Sequence, residues 1–223
     1  MNPIDCFGSP GATSDKTACE TLIDSNPCDF IDGGTFFLSD ASKLYFPHIC
    51  NENGDLISYV NSAKENKRLF INKITHIMSK TMSNTFMTCP MDSTETIYIC
   101  SDIESVFVSL ESEDKSLELV IRISANSSLL SSTISIAKPQ ISIYKKSQGS
   151  FDFRYDLEGE LGGTNDDREH YESIDLNGSI FNDVISMDIT KSTDPNIFKY
   201  YYSKTLGLIG FLDSDGILWV INN

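Results

Sequence analysis

Cysteine is the residue type with the clearest chemical consequence in this chain of 223 residues. There are six cysteines, all within the first hundred residues, and no two stand in a Cys-x-x-Cys pair. They are Cys6, Cys19, Cys28, Cys50, Cys89 and Cys100. An even number of cysteines at such spacings indicates disulfides formed in an oxidising compartment. The sequence therefore predicts an exported protein whose first hundred residues are cross-linked.

Several pairings fit the spacing, and the sequence alone does not choose among them. One natural set has two short loops and one long loop: Cys19–Cys28, Cys89–Cys100 and Cys6–Cys50. A zinc site is the alternative, and only His48-Ile49-Cys50 comes near the ligand spacing of structural zinc. No local signature marks a catalytic cysteine. We therefore predict disulfide-bonded cysteines, no metal and no cofactor.

A second group of chemically competent residues is acidic and surrounds one histidine in the range 159–172. The residues predicted to bind a partner are Glu160, Asp166, Asp167, Glu169, His170 and Glu172. The chain as a whole has 17 Lys and Arg against 32 Asp and Glu, a formal net charge of −15. This charge repels nucleic acid and anionic lipid and attracts a basic protein or a divalent cation. Solubility alone is the simpler explanation of the same charge.

Signatures of catalysis are few. The chain has three histidines, and His76 lies in an apolar alternation that indicates a packed residue rather than a base. No nucleophile elbow, phosphate-binding loop, dinucleotide fingerprint or His-Glu-x-x-His motif occurs. The segment 213–216 begins like a calcium loop but lacks the later ligands, so it predicts a hairpin turn. We therefore predict a non-enzymatic protein, with a hydrolase based on two carboxylates or His170 as the alternative.

The elements that must position these residues are predicted to be β-strands. Apolar alternations recur at short intervals, and Asn177-Gly178 between two of them is a strong hairpin signal. Strands are also expected at 35–38 and 44–46, and the segment 68–78 favours a strand over a helix. The predicted fold class is mainly β, an antiparallel curved sheet, half-barrel or sandwich. The loop expected between strands at 159–169 would present the acidic residues.

The domain organisation follows the change in composition along the chain. Residues 1–34 are rich in Gly, Pro, Ser, Thr and Asp, which predicts an irregular arm tied down by cystines. Residues 35–223 are predicted to form an antiparallel β domain. A sub-boundary near residue 100, where the cysteines end, is compatible with this division.

The last fifty residues carry a more specific pattern. It consists of three pieces, Tyr171–Ile185, Tyr200–Phe211 and Asp215–Trp219, within a stretch that makes up about a quarter of the chain. The pattern resembles the closing strands of small bacterial envelope lipoproteins and secreted proteins of largely unknown function. The resemblance implies the curved half-barrel of lipoprotein carriers, with Gly207 and Gly210 at points of curvature or close backbone approach. A likeness of fold does not by itself carry a function.

Location and function are inferred from these features together. No run of about 18 apolar residues exists, so no transmembrane segment is predicted. The first residues lack the pattern of a signal peptide, so paired cysteines imply a removed leader and a periplasmic or extracellular location. The expected function is that of an exported bacterial binding protein. An immunity protein that covers a basic toxin with the 159–172 loop suits the acidity, and the alternatives are an apolar-ligand carrier and the carboxylate hydrolase.

Overall fold

The computed structural model describes residues 6, 9–12, 30–88, 94–126, 129–130, 133–134, 138–145, 153–156, 168–188 and 197–222. Regular structure in these ranges is almost entirely β, with one short helix, α1 (Asp40–Lys43), and a 3₁₀ turn at Pro47–Cys50. The strands are β1 (Gly11–Ala12), β2 (Phe30–Phe36), β3 (Leu56–Val60), β4 (Asn66–Thr88), β5 (Thr94–Ser112), β6 (Glu118–Asn126), β7 (Leu129–Leu130), β8 (Thr133–Ile134), β9 (Lys138–Lys145), β10 (Phe153–Asp156), β11 (Arg168–Leu176), β12 (Ser179–Asp188), β13 (Ile197–Ser203), β14 (Gly207–Asp213) and β15 (Leu218–Ile221). The mainly β fold class predicted from the alternations is confirmed.

One large sheet contains all of the described strands except β7 and β8, which pair with each other. Its strand order is β10-β9-β6-β5-β4-β3-β15-β14-β13-β12-β11, and every neighbouring pair in this order is antiparallel. The order consists of two halves, β3 to β10 and β11 to β15. They join where the last strand returns to the first half, with Val220 opposite Val60.

The longest feature of the first half is the hairpin of β4 and β5, which contain 23 and 19 residues. Neighbours β3 and β6 pair with only part of this hairpin, along 66–70 and 105–111. The short strands β1 and β2 pair in parallel with part of the remaining edges, at 77–78 of β4 and 98–103 of β5, which shortens the free edges of this hairpin. Because β2 runs through residue 34 and residue 100 lies inside β5, neither predicted boundary falls at a break in regular structure.

The main hydrophobic core contains side chains from both halves of the sheet, together with Leu38, Phe46 and Ile49. The rings of Tyr59 from β3 and Phe211 from β14 lie 5.2 Å apart, and the Tyr59 hydroxyl donates to the Leu208 carbonyl at 3.1 Å. Trp219 is buried in this core. The largest fully buried side chains are Tyr59, Tyr200, Tyr202, Phe46 and Phe211. Aromatic rings are therefore the largest side chains of this core.

Residues 38–50, which we call the strap, lie against both halves of the sheet. The strand predicted at 44–46 is wrong, because α1 ends just before it and the 3₁₀ turn follows. Ser39 caps α1 by accepting a hydrogen bond from the Ser42 amide at 3.2 Å, and Pro47 begins the 3₁₀ turn, where its missing N–H costs nothing. Local capping chemistry here outweighs the apolar pattern.

Three contacts and one covalent bond anchor the strap. The Leu38 amide donates to Glu104 of β5, the Tyr202 hydroxyl of β13 donates to the Tyr45 carbonyl, and the Leu208 amide of β14 donates to His48. Cys50 is disulfide-bonded to Cys6, which is one of the three pairings in the predicted set. The other two pairings include Cys19, Cys28 and Cys89, which lie outside the described residues.

Candidate functional site

The predicted binding residues that the structure describes lie on β11, at one end of the strand order. Glu169, His170 and Glu172 are therefore in a strand, and the prediction of a loop reaching residue 172 is wrong for these residues. The reason is long-range pairing, since β12 offers a continuous antiparallel partner along 168–176 and such pairing overrides a polar composition. Glu160, Asp166 and Asp167 lie outside the described residues.

Strand geometry divides these residues between two faces. Successive side chains of a strand point to opposite sides of the sheet. Glu169 therefore shares a face with Tyr171, whereas His170 shares the other face with Glu172. The single acidic surface expected from a loop becomes two surfaces that meet at one exposed edge.

The first face carries a network centred on Lys199 of β13. The Lys199 ammonium lies 3.0 Å from Glu169 and 3.4 Å from Asp188. Glu169 also accepts a short hydrogen bond from the Tyr171 hydroxyl and one of 3.4 Å from Ser186. The Tyr171 hydroxyl and then Lys199 lower the pKa of the Glu169 carboxyl. Glu169 is thus an ionised, partly neutralised acceptor that remains about half exposed.

The second face carries a network centred on Asp183 of β12. His170 Nε2 lies 3.0 Å and Lys204 Nζ 3.3 Å from the Asp183 carboxylate. Asp183 has a φ of 55°, and its carbonyl accepts from the amide of Lys204, the residue after β13. The hydrogen bond from His170 lowers the pKa of Asp183 against the effect of desolvation, with Lys204 adding to it. A local irregularity in β12 therefore brings the three groups together.

Glu172 is the acid of this edge with no compensating charge. It is exposed and has no hydrogen bond or ion pair among the described residues. Asp175 is also exposed, and one of its oxygens accepts from the Gly178 amide of the hairpin turn at 2.7 Å. The edge therefore offers exposed carboxylates as acceptors for cationic groups.

Sequence reasoning missed a buried carboxylate, Glu104 on β5, which is 2% exposed. Its two oxygens contact His76 Nε2 at 2.7 Å and the Leu38 amide at 2.7 Å. The pair confirms His76 as a packed residue and explains why the strap crosses the sheet here. The alternation offered a signal, because Glu104 shares its face with the apolar Val106 and Val108.

His48 and Cys50, the residues nearest to zinc-ligand spacing, both have other partners. His48 is 4% exposed, and its Nε2 accepts from the Leu208 amide at 3.0 Å. Cys50 is bonded to Cys6. Within the described ranges, no three His, Cys, Asp or Glu side chains are arranged to hold a metal ion.

We predict that His48 makes stability fall at acid pH. Burial lowers the pKa of its imidazole to about 4, against about 6.5 in an unfolded chain. Between these values the unfolded state binds more protons, so stability is lost as the pH falls from about 6.5 to about 4, by about 3 kcal/mol in total. Denaturant unfolding of wild type and His48→Gln across this range measures the effect. The variant, whose amide oxygen can accept from Leu208, is expected to lack this component, and an equal slope in both proteins would contradict it.

The turn at 213–216 is a hairpin turn, as predicted. Asp213 Oδ1 accepts from the amides of Asp215 and Ile217 at 3.0 Å each. Its Oδ2 accepts from Trp219 Nε1 at 2.7 Å and lies 3.6 Å from Lys67. The Asp213 carboxylate, which would be the first ligand of a calcium loop, is therefore hydrogen-bonded to other groups of the fold.

Comparison with family models, characterised proteins and solved structures gives no match to the chain. The resemblance to envelope lipoproteins therefore remains a prediction. In the part of the chain that the structure describes, no helix has the length and apolarity needed to cross a membrane.

Proposed function

We propose that this chain is an exported, non-enzymatic binding protein that engages a basic protein partner through β11. The observation that carries the proposal is the exposed end strand of the sheet, with ionised Glu169 and uncompensated Glu172. Complementary charge speeds and orients association between proteins. A toxin-neutralising protein, whose acidic edge covers a basic active site, is the form of this function that we favour.

The proposed location rests on the disulfide. Disulfides persist in oxidising compartments and are rare in the cytosol. The bond between Cys6 and Cys50 ties the start of the chain to the strap. We therefore propose the periplasm or the extracellular space.

Packing does not favour the alternative of an apolar-ligand carrier. A carrier needs a large apolar cavity between the halves of the sheet. In the described residues that space holds the rings of Phe46, Tyr59 and Phe211, each less than 2% exposed.

Electrostatics does not favour the alternative of a hydrolase. A general acid needs a raised carboxyl pKa, whereas the pKa values of Glu169 and Asp183 are lowered. Open grooves of about 430 and 480 Å³ flank the turn after β5. There, hydrogen bonds from Ser112 and Ser116 lower the pKa of Asp114 to about 2. These carboxylates are suited to binding rather than to proton donation.

Reversing the charge of Glu172 is expected to weaken the partner complex about tenfold. Wild type, Glu172→Lys and the matched control Glu113→Lys would be used to capture partners from the extracytoplasmic fraction of the source organism. Glu113 is an exposed acid in the turn between β5 and β6. We expect a basic protein that binds wild type and the control equally and is released by salt. Equal retention by all three proteins, or a partner without excess Lys and Arg, would contradict the proposed function.

A further inference from the structure

The outer edge of β11 has no partner strand among the described residues. Its side chains at 169, 170, 172, 173 and 175 are all exposed. An unpaired edge of this kind can accept an extended segment of another protein as an added strand. The edge therefore offers main-chain hydrogen bonds in addition to the charge already described.

The hairpin turn fixes which backbone groups face outward. A two-residue turn at 177–178 joins β11 to β12, so the flanking residues Leu176 and Ser179 form a hydrogen-bonded pair. Hydrogen-bonded and non-hydrogen-bonded pairs alternate from there along the ladder. The N–H and C=O groups of residues 169, 171, 173 and 175 therefore point away from β12, to the free edge.

This edge lacks two of the features that block strand addition. Residues 169–176 contain no proline and no lysine, both of which natural edges use as protection. The irregularity at Asp183 interrupts the ladder to β11 between the pairs Tyr171–Val184 and Ser173–Asn182, but the register is the same on both sides of it. The acids themselves disfavour a second copy of β11, since like charges would lie close together.

We infer that β11 accepts an extended basic segment of the partner as an added strand, an inference that rests on the proposed function. An added strand that pairs along β11 places every third residue opposite Glu169, Glu172 and Asp175. Basic residues at every third position therefore lie opposite all three carboxylates. The same number of basic residues at alternate positions lies opposite fewer of them.

The test uses nine-residue Lys/Thr peptides, matching the length of β11. One peptide has lysine at every third position, and its control has the same lysines at alternate positions. At about 1 mM peptide, the first is expected to bind about fivefold more tightly, the effect of one added charge pair. Amide exchange is expected to slow at residues 169, 171, 173 and 175. Absence of binding, equal affinity of the two peptides, or unchanged exchange at these amides would overturn the inference.

A proline variant separates this inference from the proposed function. Ser173→Pro removes one outward N–H and leaves the ladder to β12 intact, while Ser173→Ala removes only the hydroxyl. Thermal unfolding of both variants shows whether each is folded. We expect Ser173→Pro to weaken peptide binding about tenfold and Ser173→Ala to leave it unchanged. Binding that depends on Glu172 but is indifferent to Ser173→Pro would overturn strand addition and leave the proposed function standing. Peptide binding that does not depend on Glu172 would contradict both strand addition and the proposed function.

Discussion

Gly207→Ala is expected to destabilise the protein by about 4 kcal/mol or more, through strain and overpacking together. Gly207 has a φ of 80°, and a Cβ added there would lie 2.1 Å from His48 Nε2. The imidazole would have to move, and the hydrogen bond that it accepts from Leu208 would be lost. An unpaired buried N–H adds its own cost. Denaturant unfolding at pH 7 measures the change.

The matched control for this substitution is Gly216→Ala. Gly216 has a similar φ of 75°, but a Cβ there would meet nothing within 4 Å. This variant is expected to lose only about 1 kcal/mol, the cost of the backbone conformation. Equal losses for the two variants would show that contact between β14 and the strap does not hold the fold together.

Removing the disulfide is expected to cost about 4 kcal/mol by the chain-entropy relation. Cys6 and Cys50 are 44 residues apart in sequence, so their bond closes a long loop of the unfolded chain. Unfolding free energies of Cys6→Ala, Cys50→Ala and the double variant would be measured under oxidising conditions. Since either single change breaks the bond, the double variant is expected to be little worse than each single one. Losses that simply add would contradict the pairing.

Hairpins are the part of the fold that the sequence predicted best. The Asn177-Gly178 turn has positive φ at both residues, 54° and 84°, as this pair of residues requires. Residues 105–111 and 118–124 pair as β5 and β6, and the segment 68–78, for which the sequence favours a strand over a helix, lies in β4. Local chemistry decides these elements, so local patterns reveal them.

Long-range features were beyond the sequence patterns. The strap is positioned by Glu104 and by Leu208, which lie 66 and 160 residues from their hydrogen-bond partners Leu38 and His48. The closure of β15 on β3 depends likewise on strands far apart in sequence. No periodicity within one segment encodes such pairs. The candidate site is a further example of a long-range effect. Pairing with β12 makes the polar segment a strand and places its acidic residues on two faces.

β11 is the proposed contact surface for a basic partner, and site-specific cross-linking would identify the residues that it touches. A photoreactive phenylalanine derivative would replace Ser173 in one protein and Glu113 in another, both exposed positions. Each protein would be irradiated in the extracytoplasmic fraction, and the cross-linked residues mapped by mass spectrometry. We predict that position 173 alone is joined to a Lys- and Arg-rich segment of one protein. Cross-links of the same pattern from both positions, or from 173 to acidic or neutral proteins, would contradict the account.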